Sequence, residues 1–124
     1  MDKNDILYSN NIFKNIRILN LTNNNISNIN ILEKIKFEKL EKLYLDNNKI
    51  SDINILENVR YKELKELYLN GNNITNIEIL EKVNFPKIEE LDLSCNKIIN
   101  VDIFEKVHFI KLKLYVYIEI KYQI

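Results

Sequence analysis

Residues 37–60 read FEKLEKLYLDNNKISDINILENVR, and residues 61–84 read YKELKELYLNGNNITNIEILEKVN. The two stretches align without a gap: Phe37 matches Tyr61, Leu40 matches Leu64, Leu43 and Leu45 match Leu67 and Leu69, and Asn48 matches Asn72. Working outward, residues 13–36 and 85–108 follow the same scheme. Phe13, Phe37, Tyr61, Phe85 and Phe109 therefore recur every 24 residues, as do Asn24, Asn48, Asn72 and Asn96. Self-similarity at a fixed short period is the mark of a stacked repeat architecture. Two periodicities alternate inside each unit. Leu43-x-Leu45 alternates as a short strand does. After Asn48 the apolar residues Ile50, Ile53, Leu56 and Val59 come every third position, which suits a helical or 3₁₀ segment. Ser51 and Asp52 stand where caps belong, as do Ser27/Asn28 and Thr75/Asn76; the fourth unit has Ile99 instead of a hydroxyl, leaving Asn100. Each unit is a strand, a tight corner and a helical return. One such unit cannot bury enough apolar surface to offset the entropy of ordering it, so stacking on neighbours must supply the difference. The expected fold is a solenoid.

Composition narrows the function classes. The 124 residues suit one domain. Isoleucine (22), asparagine (21) and lysine (16) make up nearly half of them, while glycine, proline and cysteine occur once each. A single glycine leaves no phosphate-cradling loop, and a single cysteine leaves no intramolecular disulfide and no cysteine-based zinc site. It also means that asparagine is expected to turn the corners, with Gly71 the one exception. Acids and bases balance at 18 each, which argues against nucleic acid or an anionic membrane as partner. The start, MDKNDILYSNN, has no apolar run of signal-peptide length, and no stretch approaches the roughly 18 apolar residues of a membrane span. The expectation is a cytoplasmic chain with Cys95 reduced and no cofactor.

The string Leu40-x-x-Leu43-x-Leu45-x-x-Asn48-x-Ile50 matches the leucine-rich-repeat signature, and it recurs as Ile16 to Ile26, Leu64 to Ile74 and Ile88 to Ile98. With its continuation through Ile53, Leu56 and Val59, the unit resembles the subclass of the leucine-rich-repeat regulatory subunit of protein phosphatase 1 and of bacterial internalins. Those units have about 22 residues, and here two more precede the Leu40 position. The resemblance implies an α/β solenoid, a short horseshoe with a parallel β-sheet on the concave side and short helical or 3₁₀ segments on the convex side. It also implies a structural task for Asn24, Asn48, Asn72 and Asn96: a buried amide that hydrogen-bonds the corner backbone of its own and adjacent repeats. The partner implied is a protein, and by analogy with the family an enzyme that the chain regulates.

The domain reads as residues 1–12 forming an N-terminal cap, repeats at 13–36, 37–60, 61–84 and 85–108, and a capping strand at 109–124. In that last stretch Leu114 and Val116 arrive one residue early, so a one-residue shortening restores the inward register. Alternation then continues to Ile124. This tail could close the last repeat, pair its free edge with another chain as an exposed strand does, or mark a piece of a longer array. The oligomeric expectation is a monomer or a weak homo-oligomer through that edge.

Residues flanking the inward leucines point to the open face of the sheet. Their columns are Ile18, Asn20, Thr22; Lys42, Tyr44, Asp46; Glu66, Tyr68, Asn70; Glu90, Asp92, Ser94; and then Lys113, Tyr115, Tyr117. Strands lie about 4.8 Å apart, so Tyr44 and Tyr68 should be neighbours. The candidate partner-binding set is Lys42, Tyr44, Asp46, Glu66, Tyr68, Glu90 and Asp92, with tyrosines as rigid anchors and acids selecting a basic element. Exposed sheet also favours tyrosine for its own sake, and both readings stand. Convex charges such as Glu33, Lys34, Glu57, Glu81 and Lys82 read as solvated helix faces. No catalytic or metal set emerges: Cys95 and His108 are expected on different sides of the solenoid, and on an open sheet nothing desolvates Glu66, Glu90 or Asp92 enough to separate their pKa values for acid–base work. The chain is not expected to be an enzyme.

Overall fold

The structure, a computed structural model, describes residues 11–106 and 113–115. Five strands of three residues each, β1 (Ile18–Asn20), β2 (Lys42–Tyr44), β3 (Glu66–Tyr68), β4 (Glu90–Asp92) and β5 (Lys113–Tyr115), form one parallel sheet in chain order. Each central leucine faces its counterpart, Leu19 with Leu43, Leu43 with Leu67 and Leu67 with Leu91. The ladder runs on past the strands, with Leu21, Leu45 and Leu69 N–H each donating at 2.8 Å to the carbonyl of Tyr44, Tyr68 and Asp92. Strand β5 joins in the register Leu91 with Leu114. That step is one residue shorter than the others, as the sequence spacing of Leu114 requires.

The returns are 3₁₀ segments at Asn30–Lys34, Asn54–Asn58, Glu78–Glu81 and Asp102–Glu105, each stacked on the next. A threefold period explains the choice: it lines up Ile50, Ile53, Leu56 and Val59 on one side, and all four are buried. Between sheet and returns runs one continuous core. In the second and third units Leu40, Leu43, Leu45, Ile50, Leu64, Leu67, Leu69 and Ile74 are wholly enclosed. The aromatic column closes one side, its successive rings from Phe13 to Phe85 lying 5.7, 5.9 and 6.3 Å apart. Tyr61 brings a hydroxyl into this column, donates it to the Leu32 carbonyl at 3.4 Å, and has its pKa pushed up by burial.

The structure corrects two local expectations. The caps are not hydroxyl caps. The residues at the helix-start position are Ile29, Ile53, Ile77 and Val101, none with a side-chain cap bond. One residue earlier, Asn28, Asp52, Asn76 and Asn100 each accept the N–H two positions on at 2.8–2.9 Å. These are Asx turns, and a hydroxyl such as Ser51 plays no part in them. Ile99 therefore costs the fourth unit nothing there. The corners also differ from expectation. In every unit the residue before the column asparagine is left-handed, Asn23, Asn47, Gly71 and Cys95 having φ of 59°, 55°, 69° and 55°, and the first corner adds Asn25 at 56°. Cys95 is thus a second exception, and the less comfortable one, since its Cβ disfavours this region.

The asparagines that follow do the bonding. Asn48, Asn72 and Asn96 are buried. The Asn72 amide donates to the Leu45 and Leu69 carbonyls at 3.0 and 2.9 Å, while its oxygen accepts Ile50 N–H at 2.9 Å. Asn96 repeats the pattern on Leu69, Leu93 and Ile74. Asn48 accepts from both Asn24 and Ile26 N–H and donates to Leu21 and Leu45 carbonyls. Asn24 departs from the column: it is exposed, and its amide donates only to the Thr22 carbonyl of its own unit. The N-terminal cap through residue 10, His108, Phe109 and the tail after Tyr115, including Tyr117, lie outside the described residues.

Candidate functional site

The open face of the sheet is set by the strand alternation. With Leu43, Leu67 and Leu91 turned into the core, their neighbours must face out. Lys42, Tyr44, Asp46, Glu66, Tyr68, Glu90 and Asp92 all lie on this face, each half-buried by its neighbours. Tyr44 and Tyr68 are register partners whose rings stack, centroids 4.8 Å apart and planes within 5° of parallel. That separation is the spacing of adjacent strands, about 4.8 Å, so the backbone itself holds the pair in stacking range.

Four of the seven residues spend their polar groups on one another. Lys42 Nζ lies 3.2 Å from Glu66 Oε2, and Tyr68 Oη lies 2.5 Å from Glu66 Oε1 and 2.6 Å from Glu90 Oε2. The phenol has one proton for two carboxylates. Burial first, and then these two carboxylates, push its pKa up. The Tyr68 hydrogen bond, followed by Lys42, lowers Glu66, and Glu66 in turn raises Lys42. A carboxylate held ionised in this way is a poor general acid. The two aspartates behave differently. Asp46 Oδ1 accepts the Thr22 hydroxyl at 2.9 Å, and Asp92 Oδ1 accepts Ser94 N–H and Oγ–H at 2.9 and 2.6 Å. Among the described residues both aspartates, like Glu90, accept from neutral donors only.

A second charged feature was overlooked in the sequence. Beside the strands, Glu41 sits between Arg17 (2.8 Å) and Lys65 (3.2 Å), Lys87 pairs with Glu63, and Lys14 lies 3.9 Å from Glu38. All these partners stand one repeat apart, so alternation of sign at the 24-residue interval was the available signal. Arg17 and then Lys65 lower the Glu41 pKa. Arg17, Glu41, Glu63, Lys65 and Lys87 line a shallow groove of about 280 Å³ together with Lys39, and all but Lys39 are ion-paired. A cleft of about 340 Å³ lies where the first and second repeats turn back toward the sheet, between Leu32, Phe37, Val59 and Tyr61. None of the groups whose pKa is shifted by charged neighbours faces it. Of the convex charges, Glu33, Lys34, Glu57, Glu81 and Lys82 are all exposed. Cys95 is free and exposed. Among the described residues no group of three or more His, Cys, Asp or Glu side chains could hold a metal ion, and no helix is long and apolar enough to cross a membrane.

The family model for leucine rich repeats (2 copies) matches residues 14–58 and again 62–106. No curated protein matches the chain. Among solved structures, an internalin C2 from Listeria monocytogenes superposes with a TM-score of 0.65 at 25% identity, covering 82% of this chain and 41% of that one. An internalin, inlF, from the same organism gives a TM-score of 0.59 at 24% identity over 73% of this chain and 25% of its own, a likeness of fold alone. The chain spans less than half the length of either internalin.

Proposed function

Because the chain belongs to the leucine-rich-repeat family, we propose that it is a non-catalytic interaction module that binds a protein partner through its concave face, regulating or scaffolding that partner. Domains of this family are protein-interaction modules in general. The observation that carries the finer reading is the stacked Tyr44–Tyr68 pair: two large, rigid amphipathic rings at the middle of a sheet face that is otherwise polar apart from Ile18 among the described residues. Aromatic anchors of this kind lose little entropy on binding and dominate interface energetics. The acids around them favour a basic element on the partner.

Affinity purification from native lysate tests this, with wild type compared with a Tyr44→Ala/Tyr68→Ala/Asp92→Ala triple variant and a convex-face control, Glu57→Ala/Glu81→Ala/Lys82→Ala. Both variants are first checked for a wild-type circular dichroism spectrum. Partners lost only with the concave variant support the proposal; partners retained by it and lost with the control overturn it. A second reading, self-association through the C-terminal edge, draws support from the place of β5 at the end of the described sheet. Light scattering on a dilution series separates the two, since a monomer throughout the micromolar range disfavours self-association.

A further inference from the structure

The concave face contains a slot whose occupant its own hydrogen bonds specify. The Tyr44 and Tyr68 rings stand parallel in one column, so one face of each is covered by the other. The opposite face of Tyr68 is turned toward β4, where its register partner is Asp92. An aspartate is too short to continue the stack. The column of rings therefore stops at Tyr68, and above Asp92 a planar group can continue the stack.

Charge and bonding capacity decide what that group is. In the Lys42–Glu66–Tyr68–Glu90 chain Glu66 is held by both Lys42 and the phenol, and Glu90 takes the phenol on one oxygen. Both bonds to Asp92 fall on Oδ1, and among the described residues Oδ2 accepts none. Asp46 has the same spare oxygen. Both are carboxylates whose present donors are neutral, so the slot offers negative charge and acceptors and asks for a cationic donor. An aromatic face beside a carboxylate suits a guanidinium better than an ammonium. The guanidinium is planar, weakly hydrated, stacks on tyrosine and presents several N–H groups in a fork that matches a carboxylate.

We infer that the partner inserts an arginine side chain beside Tyr68, its guanidinium stacked on the free ring face and paired with Asp92. This rests on the reading of the concave face as the binding surface, and it names the group recognised there.

The test is an NMR titration of the full chain with N-acetyl-arginine amide, using N-acetyl-citrulline amide as the uncharged isostere, on wild type and on Asp92→Asn. The asparagine keeps Oδ1 for Ser94 and removes only the charge, so the fold is preserved; a wild-type melting curve verifies this. The expected result is saturable shifts centred on Tyr68, Asn70 and Asp92, with affinity for arginine at least about tenfold above citrulline and lowered about fivefold or more by Asp92→Asn, the scale of a cation–π contact with an ion pair. Equal response to arginine and citrulline, or no saturation up to about 50 mM, far above the millimolar range of weak sites, overturns it. If partner capture depends on the concave face and arginine amide fails to bind, this inference falls and the broader proposal stands. If arginine saturates the slot and capture ignores the concave variant, the broader proposal falls instead.

Discussion

Asn24 and Asn72 hold the same place in the repeat, each preceded by a left-handed residue and followed by Asn-Ile. In the structure they have little in common. Asn72 is buried and binds the second and third corners together, while Asn24 is exposed and reaches only its own unit. The reason is direction. Each buried asparagine bonds its own corner and that of the repeat before it; among the described residues no corner precedes Asn24, and its own Leu21 carbonyl is taken by Asn48. Position in the stack, more than position in the motif, sets what a repeated residue contributes.

The sharpest way to break that comparison is to remove both side chains. Asn72→Ala leaves the buried Ile50 N–H without its partner and should cost about 1–3 kcal/mol in urea unfolding; Asn24→Ala should stay within about 0.5 kcal/mol, the range of a surface change. Equal losses would end the argument. Next come the corners, where position predicts opposite signs for Gly71 and Cys95. Gly71→Ala forces a side chain into the left-handed region and against the Asn47 side chain, a loss of about 1–2 kcal/mol. Cys95→Gly relieves the same conformation and should gain about 0.5–1 kcal/mol after the added flexibility of the unfolded chain.

A smaller effect separates the two kinds of acid on the concave face. The Glu66 pKa is lowered chiefly by the Tyr68 hydroxyl. Its stabilising contribution is therefore complete above the ordinary value of 4.5 and lost as pH falls through the lowered folded value. Tyr68→Phe should cost stability at pH 6, and the gap to wild type should close in strong acid; a gap independent of pH would assign the loss to packing. Smallest of all, Glu41→Gln breaks the exposed Arg17–Glu41–Lys65 bridge. Any destabilisation seen in low salt should vanish near 1 M salt, where screening acts within about 3 Å.

The fold was legible because a 24-residue period repeats apolar positions that only stacking can bury. The pairing of Tyr44 with Tyr68, the threefold rhythm of the returns and the shortened step to Leu114 all follow from counting along the chain. Less legible was anything decided by which atom reaches which. Spacing placed Asp52 and Ser51 side by side, but only backbone geometry shows that the aspartate, acting one residue early, makes the bond. Asp92 and Glu90 read as equivalent acids. The structure separates them, because Glu90 meets a phenol on the neighbouring strand and Asp92 turns back to Ser94. The left-handed Cys95 escaped notice for a similar reason: its residue type says little about φ, and its place in the repeat says much.

The backward reach of the asparagines has a consequence for how the protein comes into being. When the second corner leaves the ribosome its own Asn48 already reaches Leu45, but Ile50 N–H still lacks an acceptor, because Asn72 lies in the following repeat. The bonding of the second and third corners is complete only once the third and fourth repeats exist.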